Sequence, residues 1–295
     1  MHDDEVETDV GLVRRLIRGQ FPQWAELALE QVESAGTVNA VYRLGDDMAV
    51  RLPRIEGGAR DLEQELHWLK KLAPQLPVAI PVPFGEGRPA EGYPWAWSVQ
   101  SWLEGTNPVV GRIAEPELLA KDLAAFVGAL RQVDASAGPR AYRHEHLAVR
   151  DAEMRAAVGK LDGVVDVGAV RDAWEEALRA PRWDGPGVWV HADLSPGNVL
   201  VHEGRLSAVI DWGCTGLGEP AVDLIPAWSM LTADAREAFR DALGVDDAHW
   251  ARGRGWALSI AAIELAYYQV SNPVMAHIAR HVIDEVVADH RRRAR

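Results

Sequence analysis

The sequence predicts an α+β protein with a small β-rich N-terminal part and a large, mainly helical C-terminal part. Two observations support this prediction. Short β-like apolar runs separated by turn residues are concentrated in the first third of the chain, whereas apolar residues recur at helical spacing through most of the remainder. We therefore expect an N-terminal part over residues 1–104 and a C-terminal part over residues 105–295.

The N-terminal part alternates between β-like runs and helical patterns. Gly45-Asp46-Asp47 separates two of the runs and is typical of a hairpin turn. Further along, Leu62, Leu66 and Leu69 share one face of an amphipathic helix. The predicted elements are helical or mixed segments at 10–18 and 24–32, β-like runs at 32–44 and 48–52, a helix at 60–72, an extended segment at 78–84 and a buried strand at 95–103.

The C-terminal part shows strong helical periodicity, interrupted by one predicted hairpin at residues 188–213. Pro116 suits the first turn of a helix, where the missing backbone N–H of proline is not needed. The predicted helices cover residues 116–133, 145–158, 167–180, 220–230, 233–243, 247–270 and 273–292.

Composition excludes several classes of protein. No apolar run is long enough to span a bilayer, and the acidic N-terminus does not have the pattern of a secretory signal, so we expect a cytoplasmic protein with no membrane partner. Cys214 is the single cysteine, which excludes an intramolecular disulfide and a cysteine-rich zinc site. The net charge of −13 argues against binding to nucleic acid.

The predicted hairpin carries a pattern of polar residues that indicates phosphoryl transfer. His191, Asp193 and Asn198 follow one apolar run as H-x-D-x-x-x-x-N, and Asp211 ends another as I-D-x-G. The reaction needs a group that accepts a hydroxyl proton and oxygen ligands for Mg²⁺. We interpret Asp193 as the base, Asn198 and Asp211 as metal ligands, and His191 as a structural residue. The alternative is a surface hairpin with ordinary turn residues.

The N-terminal part contains the other elements that a nucleotide site of this type requires. Met48-Ala49-Val50-Arg51 matches the V-A-I-K pattern with arginine at the lysine position, and Glu65 on the next helix is the candidate partner of Arg51. Glu63 competes for that role, and both Arg51 and Glu65 have the alternative of being solvated charges. The predicted nucleotide-binding residues are Gly36 and Asn39 in a hairpin, Ala49, Arg51, Glu65, and Ser101 and Leu103 in a hinge strand.

Together these residues resemble the aminoglycoside phosphotransferase family, the antibiotic-kinase branch of the protein-kinase-like fold. The resemblance extends over residues 24–290 and is carried by residues 43–54, 191–201, 209–213 and 222–224. It implies a two-lobed fold, the same roles for Asp193, Asn198 and Asp211, a structural role for Asp223, and ATP or GTP with Mg²⁺ as cofactors. Ala192 stands where the family has glycine, a replacement that is tolerable if the backbone there is not at positive φ.

The spacing between two aspartates also indicates what kind of acceptor substrate the protein uses. Asp223 follows Asp211 by only twelve positions, too few for the activation segment with which protein kinases hold a peptide, so we expect a small-molecule acceptor and no protein substrate. Glu264 is a candidate for binding the acceptor because the surrounding residues, 260–266, are otherwise apolar, so its carboxylate needs a partner such as a cationic ring. The alternative is that Glu264 pairs with an arginine or faces solvent. The full set of candidates is Glu219, Trp228, Glu264, Tyr267 and Tyr268.

The function predicted from the sequence is O-phosphorylation of an antibiotic, foremost an aminoglycoside, which confers resistance. The fold and catalytic loop do not identify the acceptor, because one scaffold serves many substrates. A macrolide, a peptide antibiotic and a hydroxylated metabolite are alternative acceptors. A non-catalytic nucleotide-binding regulator is a further alternative, which the presence of Asp193, Asn198 and Asp211 opposes.

Overall fold

The computed structural model describes residues 5–32, 38–109 and 111–293. It confirms the α+β class, with an antiparallel sheet in the N-terminal region and helices in the C-terminal region. The chain forms two compact units. Unit 1 comprises Met1–Thr106 and Ser207–Gly213, and unit 2 comprises Asn107–Leu206 and Cys214–Arg295. By its contacts, the segment that carries Asp211 therefore belongs to unit 1.

Unit 1 is built around a five-stranded antiparallel sheet with two helices. Its helices are α1 (Val10–Gln20) and α2 (Glu56–Leu72), and its strands are β1 (Leu29–Gln31), β2 (Asn39–Leu44), β3 (Met48–Pro53), β4 (Pro83–Gly87) and β5 (Trp97–Ser101). The strand order is β1-β2-β3-β5-β4. Gly45 allows the tight β2–β3 turn because its φ of 62° lies in the left-handed region.

The core of unit 1 follows from the alternation of its strands. Ala40, Tyr42 and Leu44 of β2 are buried, and the residues between them are only partly buried. They pack in one cluster with Val50 and Leu52 of β3, Trp97 and Val99 of β5, and Val13, Leu16 and Ile17 of α1. Within the segment predicted at 24–32, the structure forms only the short strand β1, and α2 begins four residues before its predicted start at residue 60.

Unit 2 is mainly helical. It contains α3 (Pro116–Gln132), α4 (Asp151–Gly159), α5 (Val167–Arg179), α6 (Pro226–Ser229), α7 (Ala233–Leu243), α8 (Asp247–Tyr268) and α9 (Pro273–Arg293). The strands β6 (Val188–Val190) and β9 (Gly216–Gly218) pair antiparallel. Strand β7 (Val199–His202) lies in unit 2, and strand β8 (Arg205–Val209) begins in unit 2 and ends in unit 1. In the described part of the chain, no helix is both long and apolar enough to cross a membrane.

One predicted helix, at residues 220–230, is wrong as a single element. The segment forms a 3₁₀ turn at Pro220–Leu224 followed by the short helix α6. Pro226 begins α6, and a proline at that position cannot donate the backbone hydrogen bond that would continue the preceding turn.

Helix α8 is fixed in unit 2 by buried charge pairs as well as by apolar packing. It packs against α4, α5 and α9. Its buried Arg252 pairs with Glu219, and its buried Arg254 pairs with Glu176 and lies 3.6 Å from Asp289. Because a buried charge requires a partner, these pairs fix the position of α8, whose C-terminal end carries Glu264.

Candidate active site

The loop after β6 is held by a buried aspartate. The two carboxylate oxygens of Asp223 accept hydrogen bonds from the backbone N–H groups of His191 and Ala192, each at 2.8 Å. Burial raises the pKa of Asp223, while His191 and these two N–H groups favour the charged form. His191 is fully buried, and its Nδ1 accepts a hydrogen bond from the backbone N–H of Asp193 at 3.3 Å. The geometry is consistent with the structural roles predicted for Asp223 and His191.

Ala192 adopts a backbone conformation that usually favours glycine. Its φ is 65°, so the residue lies in the left-handed region, and the condition under which alanine would replace glycine without strain is not met. A non-glycine residue in this conformation costs about 1–2 kcal/mol. The conformation is held because the Ala192 N–H donates to Asp223 and its carbonyl accepts a hydrogen bond from Arg143.

Asp193 is oriented by donors on both sides of its carboxylate. Arg143 donates to Oδ1 at 3.0 Å, and the Asn198 side-chain amide donates to Oδ2 at 2.9 Å and to the Asp193 carbonyl at 2.9 Å. The Asp193 side chain is 32% exposed, so the carboxylate is accessible to a substrate. The structure thus brings together Asp193 and Asn198, as predicted, and adds Arg143.

The residues predicted to hold Mg²⁺ offer the right donor atoms. The Asn198 side-chain nitrogen donates to Asp193, and the side-chain oxygen takes no part in these two hydrogen bonds. Asp211, in unit 1, is 48% exposed and shares one carboxylate oxygen with Arg51. Amide and carboxylate oxygens suit Mg²⁺, which usually binds one or two protein carboxylates together with substrate phosphates. Among the described residues there is no cluster of three or more His, Cys, Asp or Glu side chains that could hold a metal.

Arg51 joins two acidic residues within unit 1. One guanidinium nitrogen donates to Glu65 and another to Asp211. Burial lowers the pKa of Arg51, but the two carboxylates outweigh this effect and the net pKa is raised. Burial raises the pKa of Glu65, and the charge of Arg51 opposes the change. Glu63, the competing candidate, is exposed, so the geometry favours Glu65 as the partner.

The remaining nucleotide-binding candidates are distributed over the sheet of unit 1. Ala49 lies on β3 opposite Gln100 of β5, and Asn39 begins β2 opposite Pro53. The Ser101 N–H donates to the Val82 carbonyl at 2.9 Å, and its hydroxyl accepts from the Val82 N–H at 2.9 Å. Leu103 follows the end of β5 and is partly buried. Gly36 lies outside the described residues.

Two predicted acceptor contacts are contradicted by burial. Trp228 is fully buried, packs on Trp250 with ring centroids 4.8 Å apart, and donates its indole N–H to Asp289 at 3.2 Å. Glu219 is buried in its ion pair with Arg252. Both residues belong to the interior of unit 2, and neither presents its side chain to a ligand.

Glu264 instead lies within electrostatic range of Asp193. Burial raises the pKa of Glu264 to about 7, and the charge of Asp193 adds to the effect, while Arg143 and Arg150 oppose it. Tyr268 is partly buried, and its ring lies edge-on against the exposed ring of Tyr267, with centroids 4.8 Å apart. Burial and the Glu264 charge both raise the pKa of Tyr268. Of the three candidates at the end of α8, Glu264 thus feels the charge of Asp193, Tyr268 feels the charge of Glu264, and Tyr267 contacts Tyr268.

The sequence analysis did not identify Arg143 or Arg150. Arg143 lies in an irregular segment between α3 and α4, and its contact with Asp193 spans 50 positions of sequence. Arg150 ends the 3₁₀ turn Leu147–Arg150 and donates its Nε–H to Ser259 at 3.1 Å. No local pattern marks either arginine, because both obtain their partners from distant elements.

Comparisons with solved structures agree with this architecture. The GDP complex of wild-type aminoglycoside 2'-phosphotransferase-IIIa has 17% identity and a TM-score of 0.72, covering 96% of this chain and 100% of that one. ADP-bound aminoglycoside phosphotransferase APH(2'')-Ib has 13% identity and a TM-score of 0.61, covering 95% and 98%. Macrolide 2'-phosphotransferase MphH from Brachybacterium faecium has 22% identity and a TM-score of 0.61, covering 93% and 97%. At these identities the similarity establishes the fold.

Sequence comparison establishes the family. No curated protein matches the chain significantly. The family model described as "Phosphotransferase enzyme family" (APH) matches residues 30–256, which is well over half of the chain. This match confirms the family resemblance identified from the motifs. The chain belongs to the phosphotransferase enzyme family, and it is a kinase-type phosphotransferase that acts on hydroxyl groups.

Proposed function

We propose that this enzyme transfers the γ-phosphoryl group of ATP or GTP to a hydroxyl group of a small-molecule antibiotic and thereby confers resistance. The Asp193 carboxylate is the observation that supports this most directly. It is partly exposed and is oriented by Arg143 on one oxygen and Asn198 on the other. A carboxylate held in this way accepts the proton of the attacking hydroxyl as the phosphoryl group is transferred.

The other predicted residues have supporting roles in this proposal. Arg51, held by Glu65, places positive charge on the nucleotide phosphates, and its planar guanidinium offers two N–H groups where lysine offers a point charge. Asn198 and Asp211 would hold Mg²⁺, which when bound neutralises charge on the phosphates. The other predicted nucleotide contacts stay predictions: Gly36, Asn39, Ala49, Ser101 and Leu103.

The acceptor is first expected to be an aminoglycoside, the class named in several of the similar structures. A polycation of this kind binds best where several carboxylates are available to its ammonium groups. Two arginines, Arg143 and Arg150, balance Asp193 and Glu264 near the proposed base. This balance favours a second candidate, an acceptor with few charges.

Exposed aromatic residues near this group support that second candidate. Tyr142 is 72% exposed and the Arg143 guanidinium lies 5.4 Å from its ring centroid, while Tyr267 is 65% exposed. Aromatic rings of this kind contribute contact area for an apolar body. A macrolide has a large apolar ring with few charges, and a macrolide phosphotransferase is among the similar structures. A peptide antibiotic and a hydroxylated metabolite stay as further acceptors to test.

A coupled assay for release of ADP or GDP tests the proposal. The panel comprises aminoglycosides, macrolides, peptide antibiotics and hydroxylated metabolites, each with ATP and with GTP and with Mg²⁺ added or chelated. Turnover with an antibiotic and a phosphorylated product identified by mass spectrometry would support the proposal. Nucleotide binding with no turnover on any acceptor would favour the alternative of a non-catalytic regulator.

Replacement of the proposed base gives a sharper test. Asp193→Ala should reduce turnover by roughly 10²–10⁴-fold, the range that a positioned base contributes, while nucleotide still binds. Asp162→Ala is the matched control because Asp162 is exposed and lies in a turn after α4. If Asp193→Ala keeps most of the activity, Asp193 is not the base.

A further inference from the structure

Arg143 contacts the proposed base, Asp193, from outside the loop that follows β6. Its Nη1 donates to Asp193 Oδ1 at 3.0 Å and also to the carbonyl of Ala192. The Arg143 side chain is only 14% exposed, so these are contacts of a largely buried guanidinium. One side chain therefore binds both the carboxylate of Asp193 and the strained residue before it.

The backbone around Arg143 is fixed by β9. The Ala141 N–H donates to the Leu217 carbonyl at 3.1 Å, and the Tyr142 N–H donates to the Cys214 carbonyl at 3.0 Å. A Cβ at Gly216 would lie 2.5 Å from the Ala141 nitrogen, closer than packing allows. The segment that carries Arg143 thus lies directly against β9, with no space for a side chain between them.

Arg143 also faces a second acidic residue. It contacts the Asp193 carboxylate, and its charge acts on Glu264 of α8, as does the charge of Arg150. Loss of Arg143 would remove one of the two side-chain donors that orient the Asp193 carboxylate, the other being Asn198.

We propose that Arg143 is a positioning residue that holds the Asp193 carboxylate in its reactive orientation. The inference rests on the proposed function, in which Asp193 accepts the hydroxyl proton. The geometry that supports it is that one guanidinium nitrogen donates both to the Asp193 carboxylate and to the Ala192 carbonyl, so the side chain joins the proposed base to the backbone of the residue before it.

Three variants test the proposal. Arg143→Met removes the charge and both hydrogen bonds but retains side-chain length, and Arg143→Lys restores the charge without the planar fork. Arg140→Met is the matched control, because Arg140 is an exposed arginine three residues earlier in the same segment. Thermal unfolding with and without nucleotide checks that each variant folds and binds. If Arg143→Met does not fold, Arg143→Lys provides the same readouts.

The kinetic readout separates positioning from a structural role. We expect Arg143→Met to lower kcat roughly 10- to 100-fold, part of the contribution of a positioned base, with the KM for nucleotide unchanged. Arg143→Lys should recover part of the rate, and Arg140→Met should match the wild type. A folded Arg143→Met enzyme with wild-type kcat would overturn the proposal.

A second readout does not depend on turnover. Crystal structures of the wild type, Arg143→Met and Arg140→Met show the orientation of the Asp193 carboxylate directly in the absence of an acceptor. We expect the carboxylate to leave its wild-type orientation in Arg143→Met and to keep it in Arg140→Met. An unchanged orientation in Arg143→Met would overturn the inference. Absence of wild-type turnover on every acceptor would instead contradict the proposed function, so the two failures are distinguishable.

Discussion

Ala192 shows how one residue combines strain with a role in holding the catalytic loop. It adopts a φ of 65° and is fully buried, with its N–H on Asp223 and its carbonyl on Arg143. A glycine here would relieve about 1–2 kcal/mol of left-handed strain. It would also lose a buried methyl and increase the entropy of the unfolded chain, each an effect of about 0.5–1 kcal/mol.

These effects nearly cancel, so we expect Ala192→Gly to be close to neutral, with a change in the free energy of unfolding of less than about 1 kcal/mol in either direction. The control is Ala156→Gly, at an exposed position inside α4, which should lower it by about 1 kcal/mol. Urea denaturation of the two variants and the wild type measures both changes. Equal destabilisation by the two substitutions would contradict the strain argument.

The surroundings of Glu264 predict that this residue makes the stability of the protein depend on pH. Burial and the Asp193 charge raise its pKa from 4.5 to about 7. A carboxyl whose pKa is higher in the folded state binds its proton more tightly there. Its contribution therefore favours folding at low pH and is lost as the pH rises from about 4.5 to about 7.

We expect Glu264→Gln to remove this part of the pH dependence. The free energy of unfolding of the wild type, measured relative to the variant, should fall between pH 5 and pH 8, around the raised pKa of about 7. Glu153→Gln is the control, because Glu153 is an exposed glutamate on α4. Urea denaturation at the two pH values measures the difference. A wild-type stability that rises with pH relative to Glu264→Gln would show that the assigned environment is wrong.

At the scale of elements, the sequence predicts long periodic segments well and short ones poorly. Helix α3 begins at Pro116 as predicted and ends one residue before its predicted end, because its apolar face is encoded locally. Strand β9 was not predicted, because three residues, Gly216–Gly218, become a strand only through their pairing with β6. The same applies to the segment carrying Arg143, whose backbone partners Leu217 and Cys214 lie more than 70 positions later.

In the candidate site, too, contacts within one loop follow from local sequence, whereas contacts between distant elements do not. The spacing of Asp193 and Asn198 places them in one loop, so local sequence was sufficient to predict their proximity. Trp228 was predicted to contact an acceptor, but its environment is set by Trp250 and Asp289 on other helices. Burial of this kind depends on packing between distant segments, which a single sequence does not reveal.

At the scale of the whole molecule, unit 1 joins segments that are far apart in sequence. The Val209 N–H donates to the Ala79 carbonyl at 3.1 Å, which ties the segment Ser207–Gly213 to the N-terminal part of the chain. Asp211 in this segment then pairs with Arg51, which also pairs with Glu65. A single guanidinium thus links β3, α2 and a segment 160 positions away.

This arrangement predicts a strong and specific effect of removing Arg51. Arg51→Met leaves Glu65, 4% exposed, as a buried carboxylate without its cation, which should lower the stability of unit 1 by about 3–5 kcal/mol. The double variant Arg51→Met/Glu65→Leu should recover most of the loss, because removing both charges of a buried pair is often close to neutral. Glu63→Gln, at an exposed position on the same helix, should change stability by less than about 0.5 kcal/mol.

Hydrogen exchange of peptides from β3 and α2 measures this effect in unit 1 by itself, because exchange of protected amides reports the free energy of local opening. We expect protection to fall in Arg51→Met, to return in the double variant and to be unchanged in Glu63→Gln. Nucleotide binding by the double variant should stay weak, because the cation proposed to contact the phosphates is absent even where the fold is restored. If the double variant is as unstable as Arg51→Met, the loss comes from packing of the Arg51 side chain and not from an unpaired Glu65.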